Sequence, residues 1–192
     1  MSNLYFASSN QFKISEYTRI FDSEKIQVTP FEFDIAELQS VAPDEIVQDK
    51  LLKAYAAIHR PVIVEHSSLS LSAMGGLPLG LTKPFWDILK DHICNIASSL
   101  NNTNAEMIVC LAFCDGKNKY TVKESVPGNI APHAIPGVFH LDRVFVPTKA
   151  PMALAGMTDS ERDKWSPRRN AVRKLIDTRL ITFLKAQSVG RI

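Results

Sequence analysis

The sequence predicts an α/β domain with a mixed central β-sheet flanked by helices. Short apolar runs that end in polar or turn residues interleave with segments of helical spacing along the 192 residues. Apolar residues make up 45% of the chain and charged residues 22%, which is ordinary for a globular protein. There is no internal repeat and no low-complexity tract. We therefore expect residues 1–192 to form one domain, divided into two lobes.

The first predicted elements are a buried strand over residues 4–7 and a helix over residues 11–22. Ser8, Ser9 and Asn10 form a polar turn between them, and Lys13 falls in the first turn of the helix. Free backbone N–H groups and the helix dipole favour a phosphate group at such a place, and a lysine adds the counter-charge. Many α/β proteins begin in this way, so the pattern alone does not establish a phosphate site.

The next part of the chain predicts a second strand end with polar side chains. A short strand is expected over residues 25–29, closed by Pro30, and a helix from Pro43 to about residue 59. The apolar run over residues 61–64 predicts a strand that ends at Glu65, followed by His66, Ser67 and Ser68. We expect the chain to reverse here and near Asn10, and the two reversals to meet in one groove around a polyphosphate.

The remaining segments predict one long helix, one hairpin and a basic helical end. Gly and Pro over residues 75–78 form a turn, and residues 86–100 form a helix. Residues 107–113 and 119–126 form a hairpin around Asp115-Gly116. From about residue 159 the chain is helical and rich in arginine and lysine.

Composition excludes several classes of function. The net charge of +2 argues against a general nucleic-acid binder, although the basic end leaves such binding as an alternative that would show a steep salt dependence. The three cysteines are too few and too poorly spaced for a disulfide framework or a zinc site, so we expect buried free thiols in a reducing compartment. Without a signal peptide or a membrane-length apolar stretch, we expect a cytoplasmic protein with no membrane partner.

Several motifs in the first half resemble one enzyme family. The six residues Ser8-Ser9-Asn10-Gln11-Phe12-Lys13 are similar to the Thr-Gly-Asn-x-x-Lys phosphate turn of the inosine triphosphate pyrophosphatase family, also called the HAM1 family. Glu37 falls where that family has a metal-binding glutamate, and Lys50 matches a phosphate-binding lysine on the following helix. Residues 61–69 and 73–78 resemble the family's acidic strand end and its Gly-Gly-x-Pro-Gly turn.

The second half continues the resemblance in the family's own order. Residues 139–147 are similar to Phe-Gly-Trp/Tyr-Asp-Pro-x-Phe-x-Pro, and residues 155–157 stand where the family has Ala-Glu-Met. Residues 166–171 resemble the Ser-His-Arg-x-x-Ala close. The likeness covers about residues 3–175, and the chain is identified on it as a divergent member of the family.

The resemblance implies an ITPase-like (HAM1/Maf-type) fold with a cleft between its lobes, a homodimer, and hydrolysis of a nucleoside triphosphate to the monophosphate and pyrophosphate. It also implies Mg²⁺, with Mn²⁺ as an alternative. The implied catalytic residues are Glu65, His66 and Lys13, and the implied metal ligands are Glu37, Glu65 and His66. The implied substrate-binding residues are Ser8, Ser9, Asn10, Lys13, Lys50, Ser67, Phe139, Asp142, Arg162, Ser166 and Arg168.

Departures from the family pattern cluster around base recognition and one metal ligand. His66 replaces an aspartate, Leu141 an aromatic residue, Arg162 a base-contacting lysine and Pro167 a histidine. These changes leave two hypotheses. The first is a pyrophosphatase for a non-standard purine or modified nucleoside triphosphate. The second is a catalytically weak or inactive nucleotide-binding protein, acting as a sensor or a partner subunit on the same fold.

Each candidate residue also has a purely structural interpretation. His66 would be a hydrogen-bonded structural histidine, Phe139 part of the core, Asp142 a partner of Arg143, and Ser166 the N-cap of a solvated basic helix. The two glutamates would be solvated carboxylates, and the two lysines ordinary helix-surface residues.

Overall fold

The structure is a computed structural model that describes residues 4–137 and 139–177. Within these ranges a seven-stranded mixed sheet forms the centre, which confirms the predicted fold class. The division into two lobes stays a prediction. The strands are β1 (Leu4–Ala7), β2 (Val28–Phe31), β3 (Val62–Leu71), β4 (Pro78–Leu79), β5 (Asn104–Cys114), β6 (Lys119–Ile130) and β7 (Phe145–Pro147).

Strand order places β3 beside the N-terminal strand. The order is β2-β1-β3-β5-β6-β7, and β4 pairs with the far end of β3. β1 runs parallel to β2 and to β3, whereas β3, β5, β6 and β7 are successively antiparallel. Because Phe6 is opposite Ile63, the turn that follows Ala7 lies level with Glu65. The sheet register therefore brings the two polar segments together.

The helices cover both faces of the sheet. α1 and α7 bury Tyr17, Phe21 and Leu175 with Phe6 and Ile63 on one face. α2 covers the other face, and α3, α4 and α5 surround a third apolar cluster at the far end of β3. The helices are α1 (Gln11–Ser23), α2 (Pro43–Ile58), α3 (Thr82–Leu89), α4 (His92–Ser99), α5 (His140–Val144), α6 (Asp159–Trp165) and α7 (Pro167–Leu175).

The strand expected to end at residue 64 continues to Leu71, so the predicted chain reversal near Glu65 is wrong. Antiparallel pairing with β5 along the whole of β3 holds this segment extended. Side chains alternate along a strand. Ile63 packs with α1 and Val64 with α2, so Glu65 lies on the α1 side and His66 on the α2 side.

Two other boundaries differ from the prediction. Pro30 lies inside β2 rather than closing it, and β2 is an edge strand of the described sheet, where a residue without an N–H group is tolerated. The single helix expected over residues 86–100 is instead two, α3 and α4. Lys90 separates them with a φ of 49°, a left-handed conformation that stops a right-handed helix.

Cys94, Cys110 and Cys114 are free and buried, as predicted. Burial raises the pKa of the Cys110 thiol to about 12, with Asp44 adding to the effect. No helix in the described part of the chain is long and apolar enough to cross a membrane.

Candidate active site

A small cavity of about 80 Å³ lies where the start of α1, the loop before α2, the middle of β3, the start of α3 and the start of α5 meet. This confirms the expectation that the segments near Asn10 and Glu65 converge on one groove. The lining residues are Asn10, Lys13, Glu37, His66, Ser67, Thr82, Lys83, Trp86, Phe139, His140 and Leu141.

The turn after β1 is organised by its own side chains. The Ser8 hydroxyl accepts a hydrogen bond from the Asn10 N–H at 3.1 Å. The Asn10 side chain caps α1 by accepting from the Lys13 N–H, also at 3.1 Å. The earlier N–H groups of a helix have no intrahelical acceptor, so the first turn offers donors to an anion.

Lys13 is joined to the middle of β3 by a buried ion pair. Its Nζ lies 2.7 Å from Glu65 Oε2, and Ser67 donates a hydrogen bond to the other carboxylate oxygen. Burial alone would raise the pKa of Glu65, but Lys13 and Ser67 bring it below its usual value. Burial lowers the pKa of Lys13, an effect that Glu65 opposes. Glu65 thus fixes Lys13 at the cavity wall, and neither residue is the solvated group of the structural interpretation.

Lys50 makes a similar pair on the other side of the cavity. Its Nζ lies 2.7 Å from Glu37 Oε1. Burial alone would raise the pKa of Glu37, but the charge of Lys50 and its hydrogen bond, together with smaller effects of His66 and Lys13, lower it. Glu37 lines the cavity and Lys50 does not, so Lys50 affects the cavity only through its ion pair with Glu37.

His66 lies between these two pairs and is neutral near pH 7. Its side chain is buried, and Nε2 makes no hydrogen bond to any residue that the structure describes. Burial, with repulsion from Lys13 and Lys50, lowers the pKa of His66 to about 4. The interpretation as a hydrogen-bonded structural histidine therefore lacks support at this nitrogen.

The donor set fits a cation that arrives with a phosphate ligand better than a cation held by protein alone. Across residues 4–137 and 139–177, no three His, Cys, Asp or Glu side chains are grouped to hold one metal ion. Glu65 is engaged by Lys13 and Ser67 and does not line the cavity. The donors that do line it are the Glu37 carboxylate, whose Oε1 binds Lys50, and the unpartnered His66 nitrogen. Magnesium commonly binds one or two carboxylates together with substrate phosphates and waters. Glu37 fits that pattern.

Next to Phe139, a buried arginine joins three structural elements. Arg168 has no exposed surface and contacts Asp142 at 3.2 Å and Glu16 at 3.2 Å. The predicted alternative in which Asp142 pairs with Arg143 is wrong, because Arg143 binds Asp91 at 2.7 Å instead. Both Asp142 and Arg168 are held inside the protein rather than at the cavity surface.

Phe139 is both part of the core and part of the wall. Its ring stacks on Phe12 with centroids 5.1 Å apart, and the Arg168 guanidinium lies 4.5 Å from its centroid. His140 stacks with Phe139 at 5.7 Å and with Trp86 at 5.4 Å. The aromatic surface expected to receive a base is therefore covered by the protein's own side chains.

Seven predicted substrate-binding residues do not line the cavity, because most of them are engaged with other protein groups. Ser166 is buried and caps α7 by accepting from the Arg168 N–H at 3.3 Å, so its structural interpretation as an N-cap is confirmed while that of a solvated helix start is wrong. Arg162 pairs with Asp159 and Glu16, and Ser9 is exposed. The seven are Ser8, Ser9, Lys50, Asp142, Arg162, Ser166 and Arg168.

Five lining residues were not among the predicted site residues. Thr82, Lys83 and Trp86 belong to α3, and His140 and Leu141 begin α5. The cis Leu77-Pro78 turn and the short β4 strand carry α3 back beside β3. The glycine and proline run over residues 75–78 predicts a turn. Because this turn follows a strand with polar side chains, it could have indicated that α3 lies beside those side chains.

A larger, open cleft of about 680 Å³ lies between residues 87–95 and residues 132–134. None of the predicted site residues lines it. The smaller cavity is the better candidate because two buried lysine–glutamate pairs and an unpartnered histidine meet there.

In residues 159–177, the part of the basic segment that the structure describes, several arginines have acidic partners. Arg169 binds Asp163 at 2.7 Å, and Arg173 binds Glu24 at 3.0 Å. Such pairing lowers the concentration of positive charge that non-specific nucleic-acid binding requires. The rest of the predicted basic helical end lies outside the described residues.

Comparison with known proteins places this geometry in a family. The model of the Ham1 family matches residues 4–178. The chain belongs to the Ham1 family. It is 31% identical over 164 residues to the inosine triphosphate pyrophosphatase of Tuber melanosporum, covering 84% of this chain and 85% of that protein. It is 30% identical over 177 residues to the dITP/XTP pyrophosphatase of Hyperthermus butylicus, covering 90% and 92%.

The fold agrees with a solved structure of the family. The Staphylococcus aureus Ham1 protein superposes with a TM-score of 0.72 at 22% identity, over 96% of this chain and 99% of that one. The seven-stranded mixed sheet described above is thus the arrangement that this Ham1 chain shares with a distant relative.

Proposed function

We propose that this Ham1 family chain is a nucleoside triphosphate pyrophosphatase that hydrolyses a non-standard purine or modified triphosphate to the monophosphate and pyrophosphate. The observation that carries the proposal is the convergence of Lys13, Lys83, Asn10 and Ser67 on one cavity beside the Glu37 carboxylate. Names of the relatives support the reaction, since they are inosine triphosphate or dITP/XTP pyrophosphatases.

Lys13 is the main group for phosphate. Negative charge grows on phosphoryl oxygens as a phosphoanhydride breaks, and fixed positive groups stabilise it best when they need no rearrangement. The pair with Glu65 holds Lys13 in place before substrate arrives, and the cap at Asn10 holds the first turn of α1 in the same way. Lys83 adds a second positive charge from α3, and the Ser67 hydroxyl lies at the cavity surface.

In this proposal Glu37 and His66 would hold a Mg²⁺ ion, while Glu65 positions Lys13 through their ion pair. Mn²⁺ would serve as the alternative, because a neutral imidazole suits transition metals better than magnesium. Such an ion would withdraw charge from the phosphate oxygens. A pKa of about 4 leaves the His66 nitrogen free of a proton near pH 7, as a ligand requires.

A test is pyrophosphate release from inosine, xanthosine and the four standard triphosphates, with Mg²⁺ and then Mn²⁺. Glu37→Gln should reduce release by at least about a hundredfold, since it removes the carboxylate charge at the cavity while keeping the side-chain volume. Glu32→Gln is the matched control, because Glu32 is exposed on the same loop outside the cavity, and it should retain activity. Equal rates for both variants would contradict the proposed role of Glu37.

The second hypothesis, a nucleotide-binding protein with little catalysis, is favoured by a different observation. The aromatic wall is covered, and the position of a family carboxylate holds a neutral imidazole. Nucleotide binding without pyrophosphate release in either metal would support this sensor or partner-subunit role. The homodimer and the cytoplasmic location stay predictions, and sedimentation equilibrium would test the first.

A further inference from the structure

The cavity occupies a gap along one edge of β3. On this edge β1 pairs with residues 62–63 of β3, and β4 pairs with residues 69–70. The opposite edge is covered by β5 along the whole of β3. Among the described strands none pairs with residues 64–68 on the first edge, and His66 and Ser67 of this stretch line the cavity. The cavity therefore lies between the last residues of β1 and of β4.

This gap leaves a main-chain donor of β3 facing the cavity. The Leu69 N–H points to the edge with the gap, because it donates to the Thr82 hydroxyl at 2.8 Å rather than to β5. Successive N–H groups along a strand point to opposite edges, so the N–H of Ser67, two residues earlier, points the same way as that of Leu69. The Ser67 N–H therefore faces the gap, on whose wall Asn10 and Lys13 also lie.

The Thr82 hydroxyl joins three structural elements at the border of this gap. It accepts the hydrogen bond from the Leu69 N–H of β3 and donates one to the Leu79 carbonyl of β4 at 2.5 Å. Thr82 is buried and is the first residue of α3. One hydroxyl therefore fixes the start of α3 to both strands, beside the cavity that Thr82, Lys83 and Trp86 line from this helix.

We propose that Thr82 is a positioning residue for phosphate binding, whose hydroxyl fixes α3 and β4 relative to the gap in which the Ser67 N–H and Lys13 meet a phosphate group. This inference rests on the proposed nucleoside triphosphate substrate. Without the hydroxyl, the Leu69 N–H and the Leu79 carbonyl lose their shared partner. Buried polar groups form another hydrogen bond, to each other or to water, rather than stay unpaired. Either change moves β4 and the start of α3 and so alters the gap.

The experiment measures binding rather than turnover. Calorimetry with inorganic pyrophosphate and Mg²⁺ gives a dissociation constant for the wild type and for each variant. Thr82→Val keeps the shape of the side chain and should raise this constant about tenfold, because a displaced donor or cation loses most of a charge-assisted hydrogen bond. Thr82→Ser keeps the hydroxyl and should stay within about twofold of the wild type. Thr82→Cys, with a weaker donor and acceptor, should fall between them.

Thr158→Val is the matched control. The Thr158 hydroxyl also binds the main chain, since it accepts from the Glu161 N–H at 3.4 Å, but it lies at the start of α6 outside the cavity. This variant should leave the dissociation constant of pyrophosphate unchanged. Urea denaturation of Thr82→Val separates the two roles of that hydroxyl, because a purely structural role would lower the unfolding midpoint without changing pyrophosphate affinity.

Three outcomes would overturn the inference: unchanged affinity in Thr82→Val, equal losses in Thr82→Val and Thr82→Ser, or no pyrophosphate binding to the wild type. If Thr82→Val does not fold, the order of Thr82→Ser and Thr82→Cys decides, and equal constants for these two would contradict the proposed role. Pyrophosphate release from triphosphates tests the activity separately. The expected shift in affinity without any such release would support the inference and count against the pyrophosphatase proposal.

Discussion

The two sides of the cavity contrast in how their charged groups are used. On the side of Lys13 and Lys50, here called the phosphate side because we propose that it binds phosphate, each lysine has one carboxylate partner and lies at or next to the cavity surface, as in Lys13 with Glu65 and Lys50 with Glu37. On the side of Phe139, here called the base side because we propose that it faces the base, Arg168 is enclosed between Asp142 and Glu16 and has no exposed surface. The positive charges of the phosphate side are therefore close to the cavity, whereas that of the base side is closed off by protein contacts.

This difference distinguishes two kinds of motif residue within one chain, those at the cavity and those that hold helices together. A paired lysine at the cavity is available to a ligand in the proposed function, whereas an arginine that bridges two buried carboxylates holds α1, α5 and α7 together. Burial raises the pKa of Glu16, although Arg168 opposes the change, which shows how strongly that carboxylate depends on its partner. Arg168 is accordingly a positioning residue for Phe139.

The largest expected effect is on stability. Arg168→Met should lower the free energy of unfolding by about 3–5 kcal/mol, because it leaves Asp142 buried without its counter-charge and Glu16 with Arg162 as its remaining partner. Arg173→Met should cost less than about 1 kcal/mol, since that side chain is 53% exposed and its pair with Glu24 is screened by water. Urea denaturation of both variants measures the contrast. Equal small losses would mean that Arg168 does not hold the base side together.

A smaller effect is expected from restoring the missing carboxylate. His66→Asp should raise Mg²⁺-supported pyrophosphate release by about tenfold, because a hard oxygen ligand replaces a neutral nitrogen between Lys13 and Lys50. His133→Asp adds the same charge outside the cavity and should have no effect. If no rise occurs in either metal, the residues around His66 no longer support the family's metal site.

The smallest effect concerns the second lysine of the phosphate side. Lys83→Met should raise KM by about two- to fivefold with little change in kcat, because the Lys83 side chain is 64% exposed and already shared with Asp87. Lys53→Met is the control, since Lys53 is exposed on α2 and does not line the cavity. A hundredfold loss of kcat in Lys83→Met would place this residue, rather than Lys13, at the reacting phosphate.

The sequence predicted elements best where local patterns decide the structure. The helix that follows the polar residues 8–10, the start of α2 at Pro43 and the hairpin around Asp115-Gly116 depend on residues close together in the chain, and all three are confirmed. The strand through Glu65 was ended too early, because its continuation depends on pairing with β5 about forty residues later in the chain. Local polarity could not indicate that partner.

Candidate site residues follow the same division. Asn10, Lys13, Glu37, His66, Ser67 and Phe139 were named from motifs and do line the cavity. Whether a residue such as Arg168 lies at the surface or beneath it depends on partners from α1 and α5, which no spacing along the chain reveals. His140 lines the cavity although no motif indicated it, and its stacking on Trp86 joins two segments more than fifty residues apart.

The mixed pairing of the sheet combines local and long-range strand contacts, which affects how the chain folds. The β5–β6 hairpin joins neighbouring segments and can form early, whereas β1 pairs with β3 across more than fifty residues of chain. Asn10 and Lys13 follow directly after β1. The proposed catalytic groove is therefore complete only when the N-terminal strand has docked, and a nucleotide that binds there would favour the fully formed sheet over partly folded states.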